Sequence, residues 1–371
     1  MRVLVTGSNG FIGKNLTLAL VEAGHEVLPY TRTQQPAELP ALLTRADAVV
    51  HLAGENRPID PAAFDAVNRD LTQKLCDALK VEQARRGRHV PLLANSSTQA
   101  EQDSPYGRSK RGGEAAIEAL VADKGSPAVI YRWPGVFGKW AKPYYNTVVA
   151  TFCHQLTRDL PIEVSSPDAV LRLVYVDDVV QELLRKLAAP GEGLQWGRVQ
   201  PEYTVTLAAL AEQIRAFRRC RDSLVSERVG TGFVRALYAT YVSYLPIERF
   251  VYDLPKHGDA RGEFVEMLKT PDAGQFSYFT AHPGVMRGGH YHHSKTEKFL
   301  VIRGHARFRF RHMMTGDRYE LFTQGGTPQI VETAPGWTHD VTNVGEDELV
   351  VMLWANEIFD RAAPDTVTNP V

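Results

Sequence analysis

The feature that most constrains this chain is a change of texture along it. From the start to about Leu245, short apolar runs at 2–6, 26–30, 48–53, 90–96 and 128–133 alternate with helix-like stretches. Such alternation builds a parallel sheet with crossover helices on its faces. A connector containing Pro and Gly occupies 246–262. After it, strand-like segments at 264–268, 275–281, 298–302, 306–312, 329–333 and 349–353 follow one another through Gly-rich turns, with no long helical pattern. That second texture predicts a small β-barrel or sandwich. A length of 371 residues exceeds what one hydrophobic core usually serves. The expected architecture is therefore a doubly wound α/β domain over 1–245 and an all-β domain over 246–371.

Charge narrows the partners. Lys plus Arg (42) balance Asp plus Glu (43), so no basic surplus marks the chain for nucleic acid or an anionic membrane. Any anionic ligand must be met locally. The three cysteines, Cys76, Cys153 and Cys220, are too scattered for a disulfide framework or a metal knuckle. The opening MRVLVTG runs straight into a strand, and no apolar stretch is long enough to span a bilayer. A cytoplasmic protein is expected.

The first strand leads into Gly7-Ser8-Asn9-Gly10-Phe11-Ile12-Gly13, and helix formers follow. Glycines at this spacing let the backbone turn sharply and approach a pyrophosphate, which the N–H groups and dipole of the helix start then hold. An NAD-specific site usually has a carboxylate after the second strand for the ribose 2′-OH. Here that strand ends in Tyr30-Thr31-Arg32. A guanidinium suits a 2′-phosphate, so the expected cofactor is NADPH, with Arg32 its selector.

Tyr106 and Lys110 stand four residues apart at a helix start, which puts both on one face. An ammonium beside a phenol lowers its pKa, so Tyr106 is the expected proton donor to a carbonyl that receives hydride. The strand over 90–94 ends in Asn95-Ser96-Ser97-Thr98, at the edge where ligands of open α/β sheets sit. Ser97 is the candidate to hydrogen-bond the carbonyl, with Ser96 as its alternative.

These residues together resemble the extended short-chain dehydrogenase/reductases that act on nucleotide sugars. The resemblance rests on Thr6-Gly7-x-x-Gly10-x-x-Gly13, His51-Leu52-Ala53-Gly54, Asn68, the Ser-Ser strand end, Tyr106-x-x-x-Lys110, Arg132-x-Pro134-x-Val136-Phe137-Gly138 and Val174-Tyr175-Val176-Asp177-Asp178-Val179. It implies a catalytic set of Ser97, Tyr106 and Lys110. It also implies cofactor contacts at Leu52, Ala53 and Gly54, and from Lys110 to the nicotinamide ribose.

In the second half, the segment from Gly284 to Gly304 carries His290, His292 and Glu297 at the spacing G(x)5HxH(x)4E(x)6G and resembles the first cupin motif. Residues two apart on a strand share a face, so His290 and His292 can converge on one metal. Pro335-Gly336-Trp337-Thr338-His339 resembles the second motif, and His339 completes the set. Three imidazoles and a carboxylate suit several divalent transition metals, of which zinc is the first choice. The same segment also resembles the epimerases that invert carbons beside the ketone of 4-keto-6-deoxy nucleotide sugars. That likeness rests on Asp259-x-Arg261-Gly262-x-Phe264-x-Glu266, Gly284-Val285-x-Arg287-Gly288-x-His290 and Lys298. It implies His290 as a general base assisted by Lys298. One imidazole nitrogen cannot serve both roles at once.

Both halves joined resemble the CapF-type bifunctional enzymes of capsule and O-antigen synthesis. The resemblance implies a UDP-2-acetamido-2,6-dideoxy-hexos-4-ulose substrate, epimerised at C3 in the cupin domain. NADPH-dependent reduction at C4 would follow, giving UDP-N-acetyl-6-deoxy-L-talosamine in a homodimeric enzyme. Two other readings stay open: a monofunctional 4-ketosugar reductase with a structural cupin module, and a nucleotide-sensing protein without catalysis.

Overall fold

The structure is a computed structural model; the described residues are 1–255, 257–259, 262–264, 267–268, 270, 274–357 and 362–371. Arg261 and Glu266 of the epimerase-like motif lie outside them. By compactness the chain forms two units, Met1–Thr147 with Leu171–Thr204, and Val148–Val170 with Val205–Val371.

The first unit is built on strands β1 (Arg2–Thr6), β2 (Glu26–Tyr30), β3 (Ala48–His51), β4 (Leu92–Ser97) and β5 (Ala128–Trp133). Next come β6 (Gly135–Phe137), β7 (Val170–Tyr175), β8 (Leu194–Gly197) and β9 (Glu202–Thr206). Six of these form a parallel sheet in the order β2-β1-β3-β4-β5-β8, while β6, β7 and β9 make a small second sheet. The order reverses between β1 and β3, which opens a crevice at the carboxyl edge. Helices α1 (Phe11–Glu22), α2 (Glu38–Arg45), α3 (Ala62–Phe64), α4 (Leu71–Arg86) and α5 (Pro105–Lys124) connect the early strands. Side chains alternate across a strand. Leu4 therefore packs on Leu39, Leu75 and Ile117 on one face, and Val3 and Val5 pack on Leu16 and Leu20 on the other. Burial on both faces explains why these strands read as unbroken apolar runs.

The second unit contains α6 (Val148–Leu156), and it gathers α8 (Leu207–Ser223) and α9 (Gly232–Ser243) with the carboxyl-terminal strands; α7 (Val176–Ala188) belongs to the first unit. Those strands begin with β10 (Val251–Asp253), β11 (His257–Asp259), β12 (Gly262–Phe264), β13 (Gln275–Ala281), β14 (Met286–Tyr291) and β15 (Glu297–Arg303). They continue with β16 (His305–His312), β17 (Arg318–Gln324), β18 (Gln329–Thr333), β19 (Trp337–Asn343), β20 (Leu349–Ala355) and β21 (Val367–Thr368). Two antiparallel sheets result, β10-β18-β15-β20-β13 and β17-β16-β19-β14-β21, an arrangement consistent with a cupin-type domain. Phe299 of the first sheet meets Phe308 of the second at 5.6 Å between ring centroids and lies 6.2 Å from the His339 ring. The inner faces thus share one core.

Compactness groups α6, α8 and α9 with the strands, although the change of texture in the sequence falls after them. Within this unit Phe217 of α8 packs on Tyr238 and Tyr241 of α9, Asp159 bridges Arg218 and Arg249, and Arg221 of α8 pairs with Glu332 of β18. No helix among the described residues is long and apolar enough to cross a membrane.

Candidate functional site

The glycine turn after β1 forms one wall of a cleft of about 620 Å³. Gly7 has φ +69°, and a Cβ there would lie 2.8 Å from the Ala53 backbone nitrogen; a Cβ on Gly13 would lie 2.2 Å from the Gly7 carbonyl oxygen. Only glycine permits both approaches. Asn9, Gly10, Phe11, Ile12, Leu52 and Gly54 line the cleft with them. Thr6 Oγ1 accepts from the Leu52 and Ala53 amides at 3.1 Å each and lies 2.7 Å from His51 Nδ1. Burial drives the His51 pKa down to about 3. That neutral imidazole also meets Thr72 Oγ1 at 2.9 Å, so the turn after β3 is pinned to β1 without a buried charge.

Arg32 lines the cleft, but it does not stand without a carboxylate. Its Nη2 lies 2.7 Å from Glu55 Oε2. Glu55 follows β3, so the usual signal of an acid after the second strand has no counterpart for it in linear sequence.

Ser96, Ser97, Tyr106 and Lys110 all line the same cleft. Adjacent strand residues face opposite ways, and the two serines differ accordingly. Ser96 Oγ donates to Glu114 Oε1 at 2.5 Å, and Glu114 is held by Arg132. Ser97 is the serine whose hydroxyl acts on the Tyr106 phenol, favouring its ionised form, and it also caps the turn after β4 by accepting from the Gln99 amide at 3.2 Å. Lys110 Nζ lies 5.9 Å from the centre of the Tyr106 ring. Burial lowers the Lys110 pKa to about 8, opposed by the Glu114 charge. The expectation that Lys110 pulls the phenol pKa down is corrected here. Burial raises it, and the Ser97 hydroxyl only partly offsets that. At neutral pH Tyr106 therefore carries the proton a donor needs.

In the second unit His290, His292, Glu297 and His339 bring ligand atoms within 4.8 Å of one another. Glu297 Oε2 is 3.1 Å from His292 Nε2 and 3.3 Å from His339 Nε2. Burial and the neighbouring imidazoles hold the His290 pKa down to about 3, and the His339 pKa is also lowered, by burial. Neutral imidazoles are the form that ligates. Both ring nitrogens of His339 are buried, and the Glu297 carboxylate is the acidic group its Nε2 faces, at 3.3 Å, so a cation held between them would satisfy both. Three nitrogens and one oxygen thus fit a divalent transition metal.

Two supports of this cluster escape sequence reasoning. His292 Nδ1 meets the Asp365 carbonyl at 2.5 Å, which turns Nε2 toward the cluster. The Asp365 carboxylate accepts from the amides of His293, Ser294 and Lys295 at 2.7–2.8 Å and so pins the loop between ligands. Lys295 Nζ lies 3.0 Å from Glu297 Oε1. Asp365 is far along the chain, and no motif links it to the loop.

Lys298 is not brought to the histidines. It projects from the other face of β15, where it pairs with Glu332 and lies 3.4 Å from Tyr252 Oη. The lysine at the cluster is Lys295.

A glycine-turn crevice with a Ser-Tyr-Lys group, followed by a two-sheet β-unit holding three histidines and a glutamate, defines a nucleotide-dependent enzyme fold joined to a cupin-type domain. The chain belongs to the NAD-dependent epimerase/dehydratase family, which it matches over residues 3–200, and residues 257–367 match the polysaccharide biosynthesis C-terminal domain. It is 54% identical to the UDP-2-acetamido-2,6-beta-L-arabino-hexul-4-ose reductase of Pseudomonas aeruginosa, over 99% of this chain and 98% of that protein. Among solved structures, the capsular polysaccharide assembling protein CapF from Staphylococcus aureus is 36% identical, with a TM-score of 0.65 and full coverage of both chains. The UDP-glucuronic acid 4-epimerase of Bacillus cereus, 19% identical with a TM-score of 0.52 over 58% of this chain and 82% of its own, shares the fold.

Proposed function

We propose that this chain is a bifunctional nucleotide-sugar enzyme, with a reductase half over 1–245 and a metal-binding cupin half over 246–371. Its substrate is a UDP-2-acetamido-2,6-dideoxy-hexos-4-ulose, epimerised at C3 in the cupin half and reduced at C4 with NADPH in the other. The product is UDP-N-acetyl-6-deoxy-L-talosamine, on the way to UDP-N-acetyl-L-fucosamine for capsule or O-antigen. A cytoplasmic homodimer belongs to the same proposal. The observation that carries the reading is the meeting of Ser97, Tyr106 and Lys110 in the cleft of the glycine turn. The relationship to a 4-ulose reductase over nearly the whole chain supports it.

NADPH bound in the cleft would supply the hydride. Tyr106 gives its phenolic proton to the C4 oxygen, Ser97 orients that oxygen, and the Lys110 ammonium stabilises the phenolate left behind. In the cupin half His290, His292, Glu297 and His339 would hold a metal, which would supply Lewis acidity at the ketone; the C3 proton so acidified would exchange with solvent and return on the opposite face. Asp365 and Lys295 hold the loop and the carboxylate of that set.

The test is NMR product analysis of the UDP-4-keto-6-deoxy sugar incubated in D2O with and without NADPH. Deuterium at C3 without NADPH, and an alcohol at C4 with it, are expected. Reduction with no C3 exchange would leave a monofunctional reductase.

A further inference from the structure

Among the described residues lining the nucleotide cleft, four side chains are cationic, Lys14, Arg32, Lys110 and Lys142, and one is acidic, Glu55. A cleft meant only to attract a polyanion has no use for a carboxylate. This one is built in. The Glu55 amide donates to Asn68 Oδ1 at 2.9 Å, and Asn68 Nδ2 donates to the Glu55 carbonyl at 2.8 Å. Its Oε1 accepts from Tyr145 Oη at 2.6 Å and from the amides of Asn56 and Arg57 at 3.1 and 3.3 Å. Its Oε2 holds Arg32 at 2.7 Å. The Glu55 side chain is 9% exposed, that of Arg32 80%. A buried, multiply bonded anion thus sets the position of an exposed cation.

We propose that Glu55 is the residue that tunes the choice between NADPH and NADH. It holds Arg32 at the end of β2, where a ribose 2′-phosphate would pair with it, and it offsets Arg32's charge and repels that phosphate. Toward the unphosphorylated cofactor the same carboxylate has no phosphate to repel. The cleft therefore discriminates less sharply than Arg32 alone would make it. This rests on the reading of Arg32 as the neighbour of the adenosine ribose.

Glu55→Gln keeps the shape and an oxygen for Arg32 while removing the charge. The full chain is titrated with NADPH and with NADH by nucleotide fluorescence, and the ratio of the two Kd values is compared with wild type. At the effective dielectric of a partly exposed site, removing one charge within about 6 Å of a phosphate should raise the preference for NADPH roughly fivefold, and less in high salt. Tyr145→Phe, which removes a hydrogen bond and no charge, should leave the ratio where it is. A ratio that is unchanged or lower in Glu55→Gln overturns the proposal, as does an equal loss of affinity for both nucleotides, the mark of a merely structural role. Arg32→Ala separates the two layers. If it leaves the wild-type ratio unaltered, the reading of Arg32 itself fails. If it narrows the ratio while Glu55→Gln changes nothing, only the role of Glu55 is lost.

Discussion

Glu297 and Lys298 are consecutive on β15 and serve opposite faces of the sheet. Glu297 reaches the histidine cluster, whereas Lys298 is sealed in an ionic network with Glu332, which also holds Arg221 and the Tyr238 hydroxyl. The first residue belongs to the histidine cluster, the second to the packing of α8 and α9 on the outer face.

Lys298→Met should therefore lower stability and spare the metal. Removing one partner of a buried pair costs about 3–5 kcal/mol, and the lower end is expected because Arg221 and Tyr238 still satisfy Glu332. A thermal melt should fall while metal content stays at the wild-type value. Loss of metal at unchanged stability would return Lys298 to the site.

The same network gives a pH signature. Burial opposes ionisation of Glu332, but Lys298 and Arg221 outweigh it and bring its pKa from 4.5 to about 2. A depressed carboxylate stabilises the fold fully above its unfolded value and loses that contribution as pH falls toward the folded one. Stability should thus decline between about pH 4.5 and 2, and less steeply in Glu332→Gln. Acid titration of both proteins by circular dichroism measures the difference.

Tyr106→Phe should reduce ketone reduction by about 10²-fold or more, the usual loss of a general acid, while NADPH affinity changes little. Single-turnover kinetics with a fluorescence titration separates the two. Unimpaired turnover would remove Tyr106 from proton transfer.

His339→Ala should abolish stoichiometric metal and C3 exchange together, and it should lower the melting temperature, since a bound ligand stabilises the folded state. Elemental analysis of the purified chain is the direct check. A metal-free protein that still exchanges the C3 proton would favour His290 as a base.

Asp365→Asn should weaken metal binding roughly 10-fold or more, the range for groups that orient ligands. Competition with a chelator reads it. An unaltered metal affinity would show that the loop from His293 to Lys295 needs no carboxylate to keep its shape.

Local order along the chain determined much of this protein. The glycine turn, the Tyr106–Lys110 spacing and the alternation of His290 and His292 are short-range relations, and backbone periodicity turns each directly into a shared face or a close approach. Ser96 and Ser97 could not be separated that way, because only the register of β4 decides which hydroxyl meets Tyr106. Tertiary structure alone decided that Glu55 answers Arg32, that Asp365 pins a loop about seventy residues earlier, and that Lys298 faces helices instead of histidines. The reason is physical: these contacts join segments brought together by packing, and a charge carries no mark in the sequence of the distant partner that burial will oblige it to find.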